Sequence, residues 1–211
     1  ILAGTYLIKQ EAANYRSALF NIATYEKIGA LDEKDARDLI TQPLQGSVEY
    51  EPYSVDKMIS LTDCHPYFIQ AVCFEMVIYL EKRQIRLVTV EALQEVVDEL
   101  LDRGSSHFDR YWTDLSKTES LMLSLLAENI RKHEDFISLE RVREICKGRI
   151  DPKIDIYKVI EQLQERDLLK RREDNLGKPR FGFFMELFKR WVSLQHPLES
   201  YDPGDYNKIK E

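Results

Sequence analysis

The chain has 211 residues, of which 44% are hydrophobic and 32% are charged. These proportions are typical of a folded protein with a buried core, and they exclude a disordered or fibrous chain. Thirty Lys and Arg residues stand against 37 Asp and Glu, and the resulting net charge of −7 disfavours non-specific binding to nucleic acid or to anionic membranes.

Cysteine, histidine and hydropathy patterns indicate a cytoplasmic protein with no metal site. The three cysteines are far apart and include no Cys-x-x-Cys pair, which is typical of free thiols in a reducing compartment. No two of the four histidines are three or four residues apart, so no zinc site is predicted. The most apolar stretch, residues 66–80, is shorter than the ~20 residues that a membrane-spanning helix needs. We therefore expect no membrane partner.

The first five residues, Ile-Leu-Ala-Gly-Thr, form an apolar run that continues through a glycine. Such a run is typical of a buried parallel strand that leads into a loop. A buried strand needs neighbouring strands, yet no alternating strand–helix pattern follows it. We therefore expect this strand to be the remnant of a larger domain, and the sequence to be part of a longer protein.

Helical patterns dominate the residues that follow. Asp32 is suited to cap a helix that Pro43 ends, and Ser54 is suited to cap a second, shorter helix. Pro66 is a favourable first residue for a third helix, whose apolar residues cover almost every side and predict a buried central helix. An amphipathic helix is predicted from Thr89.

Residues 104–114 are interpreted as a connector anchored by the aromatic side chains of Phe108, Tyr111 and Trp112. A capping box of Ser116 and Glu119 then begins a different pattern. Three helices are followed by two short extended runs around a turn rich in Asn and Gly, which is a β-hairpin signal, and by a last helix. This order predicts a winged helix-turn-helix domain, although a generic α+β packing domain has the same elements.

The predicted fold class is therefore mainly α, a helical bundle followed by a winged helix-turn-helix domain with a small β-hairpin. Four segments are predicted: a remnant of a larger domain (1–31), the helical bundle (32–114), the winged helix (115–195) and a tail or linker (196–211). The chain contains none of the Gly-x-x-x-x-Gly-Lys-[Ser/Thr], His-Glu-x-x-His or Gly-x-Ser-x-Gly motifs, so catalysis by these residues alone is not expected.

One turn stands out as a candidate ligand contact. Asp63, Cys64 and His65 immediately precede the apolar helix that Pro66 begins. A helix N-terminus offers free N–H groups and partial positive charge to a phosphate, and His65 would add a donor or a second positive charge. The alternative is that His65 is an ordinary turn residue whose ring is satisfied by the protein.

Two stretches, Lys-Ile-Gly-Ala-Leu-Asp-Glu-Lys-Asp-Ala-Arg-Asp-Leu-Ile-Thr-Gln-Pro (27–43) and Leu-Thr-Asp-Cys-His-Pro-Tyr-Phe-Ile-Gln (61–70), resemble the C-terminal part of STAND-type AAA+-like ATPases of bacteria and archaea. In that family a sensor strand leads to a helical lid, in which a Gly-x-Pro-like turn opens a buried helix, and a winged helix follows. The resemblance covers most of the chain and implies that residues 32–103 form the lid.

The resemblance implies ATP as the ligand, with Thr5 at the end of the sensor strand and His65 and Pro66 on the lid turn that faces the nucleotide. Cys64 stands where the family has glycine. The Walker A lysine and Walker B acid have no counterpart here. They are expected, together with Mg²⁺, in an N-terminal P-loop domain that would be this chain's own partner. Hydrolysis by the 211 residues alone is therefore not expected.

The winged helix offers a second candidate surface. Residues 1–114 hold 11 basic and 19 acidic side chains, whereas residues 115–211 hold 19 and 18. The candidate recognition helix carries Asp155, Glu161 and Glu165 against Lys158 and Arg166, and this excess of negative charge disfavours entry into a DNA groove. Five cations cluster instead on the hairpin: Lys170, Arg171, Arg172, Lys178 and Arg180. They predict contact with phosphates through the wing, or a docking surface for another domain or protein.

Two functions follow. In the first, the chain is the regulatory part of a signalling ATPase, whose lid closes on nucleotide held by a missing domain and relays that state to a winged-helix interaction domain. In the second, it is a free-standing winged-helix transcriptional regulator that binds DNA.

Overall fold

The computed structural model describes residues 29–103, 106–130 and 135–201, with only the backbone described at positions 106 and 107. Within these ranges the chain is mainly helical, with nine α-helices and two small sheets, which confirms the predicted fold class. The predicted strand of residues 1–5, including Thr5, lies outside the described residues, as do most of the predicted 1–31 segment and most of the tail.

The first half of the described chain is a helical bundle with one short parallel pair of strands. Strand β1 lies parallel to β2, with Glu49 opposite Leu87. The elements are α1 (Glu33–Thr41), a 3₁₀ turn (Gln42–Leu44), β1 (Glu49–Tyr50), α2 (Ser54–Thr62), α3 (Pro66–Arg83), β2 (Leu87–Val88) and α4 (Val90–Asp102). The predicted cap at Asp32 is confirmed, since its carboxylate accepts from the amide of Asp35 at 2.7 Å. The helix predicted from Thr89 begins at Val90, and the Thr89 hydroxyl caps it by accepting from the amide of Ala92 at 3.0 Å.

Two expectations for this half were wrong. Ser54 is the first residue of α2 and not its cap; the cap position is Tyr53, at φ 71°, and the Ser54 hydroxyl donates to the carbonyl of Glu51. Helix α3 is not buried on every side, because α1, α2 and α4 cover only one of its faces. Phe68 on the covered face is fully buried, whereas Phe74 on the other is 66% exposed.

The segment predicted as an irregular connector contains a helix, α5 (Ser106–Thr113). Phe108 on this helix is fully buried, so the segment is anchored by an aromatic side chain as expected, but through helical backbone. Tyr111 and Trp112 are half-buried. The helix therefore places its three aromatic side chains toward the core, a spacing that the sequence analysis attributed to a connector.

The second half has the element order of a winged helix. Its elements are α6 (Lys117–Asn129), β3 (Ile137–Ser138), α7 (Leu139–Cys146), α8 (Ile156–Glu165), β4 (Leu169–Glu173), β5 (Pro179–Phe183), α9 (Glu186–Gln195) and a 3₁₀ turn (Leu198–Ser200). The sheet order is β3-β5-β4, and both pairings are antiparallel. The hairpin turn places Gly177 at φ 72°, while the carboxylate of Asp174 accepts from the amides of Leu176 and Lys178.

A continuous hydrophobic core joins the two halves. Helix α9 packs against α2 and α4 as well as against α6. At the centre of this contact the ring of Phe68 stacks on Phe108 at 4.7 Å, and Phe108 in turn lies 5.5 Å from both Phe188 and Trp191. Such aromatic pairs each contribute about 1 kcal/mol beyond the area they bury. The division into domains at residue 114 stays a prediction.

Candidate functional site

The turn between α2 and α3 has an unusual backbone. Asp63 and Cys64 are consecutive non-glycine residues in the left-handed region, at φ 48° and 58°. This conformation costs roughly 1–2 kcal/mol for an L-residue, because Cβ approaches the following carbonyl oxygen. The turn is held by hydrogen bonds from the amide of His65 to the carbonyl of Thr62 (3.0 Å) and from the amide of Leu31 to the carbonyl of Cys64 (2.9 Å).

The conformation of Cys64 is one that glycine adopts without strain. The structure therefore places a left-handed backbone at the position where the resembling family has glycine, with a cysteine in it. The Cys64 side chain is half-buried, and burial raises the pKa of its thiol, so the protonated form is favoured at neutral pH. The less reactive thiol form of Cys64 is therefore the main form at neutral pH.

Asp63 connects the turn to the second half of the molecule. Its carboxylate forms an ion pair with Nζ of Lys170 on β4. The two residues are 107 positions apart in the sequence, and each side chain keeps about a third of its surface in contact with solvent. The turn that the sequence singled out and the strand that carries the wing cations are therefore in direct contact.

His65 occupies the cap position of α3, and its ring packs edge-on against Phe68 at 5.0 Å. Its Nδ1 atom is buried and has no hydrogen-bond partner among the described residues. Burial lowers the pKa of His65, although Asp167 and Asp63 act in the opposite direction. The uncharged imidazole is therefore the favoured form at neutral pH, so the second positive charge expected here is disfavoured. Pro66 is the first residue of α3, as predicted.

Four of the five wing cations are engaged within the protein. Lys170 pairs with Asp63, Arg171 pairs with Glu173 at 3.1 Å, and Arg180 pairs with Asp174 at 3.3 Å. The guanidinium of Arg172 lies over the ring of Phe136, 4.3 Å from its centroid. Lys178 is exposed. The hairpin does bring these cations together, as the sequence predicted, but most of their charge is balanced locally.

A second polar connection between the halves was not found from the sequence. Glu186 at the start of α9 accepts from Nζ of Lys57 on α2 (3.1 Å) and from Nε of Arg190 (2.9 Å). Arg190 also donates to the side chain of Gln94 on α4 at 3.0 Å. Burial alone would raise the pKa of Glu186, but Arg190 and Lys57 overcome this and hold the pKa below its ordinary value. Only the Glu186–Arg190 spacing of four residues was visible as a local signal.

The described residues place limits on other kinds of site. In 29–103, 106–130 and 135–201, no group of three or more His, Cys, Asp or Glu side chains is arranged to hold a metal ion. None of the helices in that part of the chain has both the length and the apolar character needed to cross a membrane.

Comparison with known proteins gives one family match. Residues 46–169 match the family model described as DUF6079 second domain, a range that runs from the turn before β1 to the first residue of β4. No curated protein matches the chain. A solved structure of Drosophila ORC bound to DNA is similar over 78% of this chain, at 13% identity and a TM-score of 0.33. The match covers 45% of that ORC chain, so this chain spans less than half of its length.

Proposed function

The chain belongs to the DUF6079 second-domain family, and we propose that it is the regulatory lid and winged-helix portion of a signalling P-loop ATPase of the STAND, AAA+-like class. In this proposal the nucleotide is held by a P-loop domain that precedes the lid in a longer protein. The turn of residues 62–66 closes on the nucleotide, and the winged-helix half responds to that closure.

The observation that carries the proposal is the direct contact between the candidate turn and the wing strand. Asp63 of the turn pairs with Lys170 of β4, and His65 lies close enough to Asp167 for that carboxylate to influence its pKa. We expect movement of the turn toward a ligand to be transmitted through this contact to the residues that begin the wing. Contacts of this kind can carry energetic coupling between two sites when they belong to an element with two discrete arrangements.

The residues of the turn would form only one side of a phosphate-binding site. The N-terminal end of α3, with the neutral imidazole of His65 beside it, supplies donors and partial positive charge. Lys170 balances the charge of Asp63, which would otherwise repel a phosphate. A glycine-rich phosphate loop and its lysine are missing from the sequence. ATP and Mg²⁺ would therefore be bound mainly by the preceding domain, and we expect the 211 residues alone to hydrolyse no ATP.

The experiment measures the affinity of the longer protein for a fluorescent ATP analogue. His65→Ala removes a hydrogen-bond donor, and Pro66→Ala relaxes the turn. We expect His65→Ala to weaken the binding of the ATP analogue about tenfold, which is the effect of losing one good hydrogen bond. Leu176→Ala at the tip of the hairpin, where the side chain is 81% exposed, serves as the control and should bind normally. Unchanged affinity in both turn variants would reject a sensing role for this turn.

The relay is tested separately by hydrogen exchange. Addition of ATP to the longer protein should change the protection of amides in β4, and Lys170→Ala should reduce that change when both proteins are compared at saturating ATP. If ATP alters the exchange of β4 equally in the variant, the ion pair is not part of the relay.

The second candidate, a winged-helix regulator that binds DNA through the wing, has less support. Four of its five cations would need to leave their present partners Asp63, Glu173, Asp174 and the Phe136 ring to meet phosphates. Its signature would be salt-dependent duplex binding that Arg171→Ala and Arg172→Ala weaken.

A further inference from the structure

We propose that the outer face of helix α3 is a docking surface for an earlier segment of the same chain, residues 12–28, which lies outside the described residues. This inference does not depend on the nucleotide-sensing proposal. It starts from an apolar stripe along the exposed side of α3 and from the place where the described chain begins.

The outer face of α3 carries an apolar stripe. Tyr67, Phe74 and Ile78 are exposed, at 47%, 66% and 41%, and Ala71 and Val77 between them are half-buried. Their spacings of three, four and seven residues place all five on the side of the helix opposite its buried residues. Single exposed apolar side chains are common, whereas a contiguous stripe of them indicates an interaction surface.

Almost no charge interrupts this stripe. From Pro66 to Leu80 the only charged residue is Glu75, and its carboxylate is paired with Arg103 at 3.3 Å. The next charge on the outer face is Glu81, near the end of the helix. The stripe therefore suits an occupant that is itself apolar and uncharged over several turns.

The size of the face favours a tethered occupant over a separate molecule. A helix of 18 residues is about 27 Å long and about 10 Å wide, so one of its faces offers roughly 300 Å². A stable complex between separate proteins buries about 800 Å² on each partner. A segment of the same chain needs less area, because its effective concentration is high and it loses less translational freedom on docking.

The described chain begins beside the end of α3 where the stripe starts. The amide of Leu31 donates to the carbonyl of Cys64 at 2.9 Å, and Pro66 begins α3 two residues later. The residues that precede Gly29 are therefore joined to the molecule close to the first turn of the stripe. Residues 12–28 would span about 25 Å as a helix, which is close to the length of α3.

The sequence of this segment complements the stripe. Between Arg16 and Glu26 it has no charged residue. Tyr15, Leu19 and Ile22 recur at spacings of four and three residues, which is typical of the apolar side of an amphipathic helix. Such a segment needs an apolar surface to pack against, and the stripe supplies one beside its point of attachment.

Hydrogen exchange of the whole chain, followed by mass spectrometry, tests the contact. We expect amides of residues 12–28 to exchange at least about tenfold more slowly than in an unfolded chain. Phe74→Asp/Ile78→Asp places two charges on the stripe and should abolish this protection, and Phe74→Ala/Ile78→Ala should reduce it. Both side chains are exposed, so the protection of the buried helix α6 should stay unchanged in either variant.

The matched control is Leu176→Asp/Leu194→Asp, which adds the same charge at two leucines that are 81% and 48% exposed in the second half of the chain. Protection of residues 12–28 should persist in it. Equal loss in the two Asp variants would show a response to charge alone and would overturn the proposal. Protection that survives Phe74→Asp/Ile78→Asp, or that is absent from the unaltered chain, would also overturn it.

Sedimentation distinguishes the tethered segment from a second copy of the chain. We expect the unaltered chain and Phe74→Asp/Ile78→Asp to have the same mass in solution. A dimer that this variant converts to a monomer would show that a second copy covers the face, and the proposal would then be wrong.

Discussion

Lys170 on β4 and Asp63 in the turn before α3 form an ion pair across the two halves of the molecule, although 107 positions separate them in the sequence. Both side chains are partly exposed, so we expect the pair to stabilise the fold by about 1 kcal/mol or less. A double-mutant cycle of Asp63→Asn and Lys170→Gln, followed by urea unfolding, measures the coupling directly. The Arg171–Glu173 pair within the wing is the control, and additive effects at positions 63 and 170 would contradict the contact.

The two faces of α3 should differ sharply in their contribution to stability. Phe68 is fully buried and stacked on Phe108, so Phe68→Ala should lower the free energy of unfolding by about 3–5 kcal/mol. Phe74 is 66% exposed, so even with residues 12–28 packed against it Phe74→Ala should cost only about 1 kcal/mol. Equal losses would contradict this difference between the faces.

The same Phe68 variant tests whether the halves unfold together. The only tryptophans of the chain are Trp112 and Trp191, and both lie at the contact between the halves. If the continuous core makes unfolding cooperative, Phe68→Ala should shift the tryptophan fluorescence transition and the circular dichroism transition equally. A fluorescence transition that stays in place while the other moves would show independent halves.

Glu119 should be the most sensitive acidic residue of α6. Its carboxylate accepts from the amide and the hydroxyl of Ser116, at 2.8 and 2.7 Å, and forms an ion pair with Arg166. Glu119→Ala removes the capping box and one partner of a largely buried ion pair, so we expect a loss of about 3 kcal/mol in urea unfolding. Glu128→Ala, an exposed position on the same helix, should cost about 0.5 kcal/mol or less.

Acidification should weaken the connection made by Glu186. The pKa of this residue in the folded state lies below its ordinary value of 4.5, so its ionised form stabilises the fold fully above that pH. This contribution is lost as the pH falls through the folded-state pKa. Unfolding free energies measured below about pH 4.5 should therefore decline less steeply in Glu186→Gln than in the unaltered chain. Parallel profiles would show that Glu186 has no such shift.

Much of the local structure followed from the sequence because its causes are local. The caps at Asp32 and Ser116 depend on residues three positions apart, and the hairpin depends on a short turn. The strands β2 and β3 were not predicted, since each has two residues and exists only because a distant strand pairs with it. Helix α5 was missed, although the equally short α7 was predicted, because its aromatic residues were interpreted as the anchors of a connector.

The candidate turn shows the same difference between features with local causes and features with tertiary causes. Its position before an apolar helix, its proline and its histidine are features of a few adjacent residues, and the sequence alone was enough to identify them. Tertiary structure alone decided which residue balances Asp63, which face of α3 is covered, and which cations of the second half are engaged, since all of these depend on residues far apart along the chain. Charge and hydrophobicity are properties of a residue, whereas pairing and burial are properties of its neighbours in space.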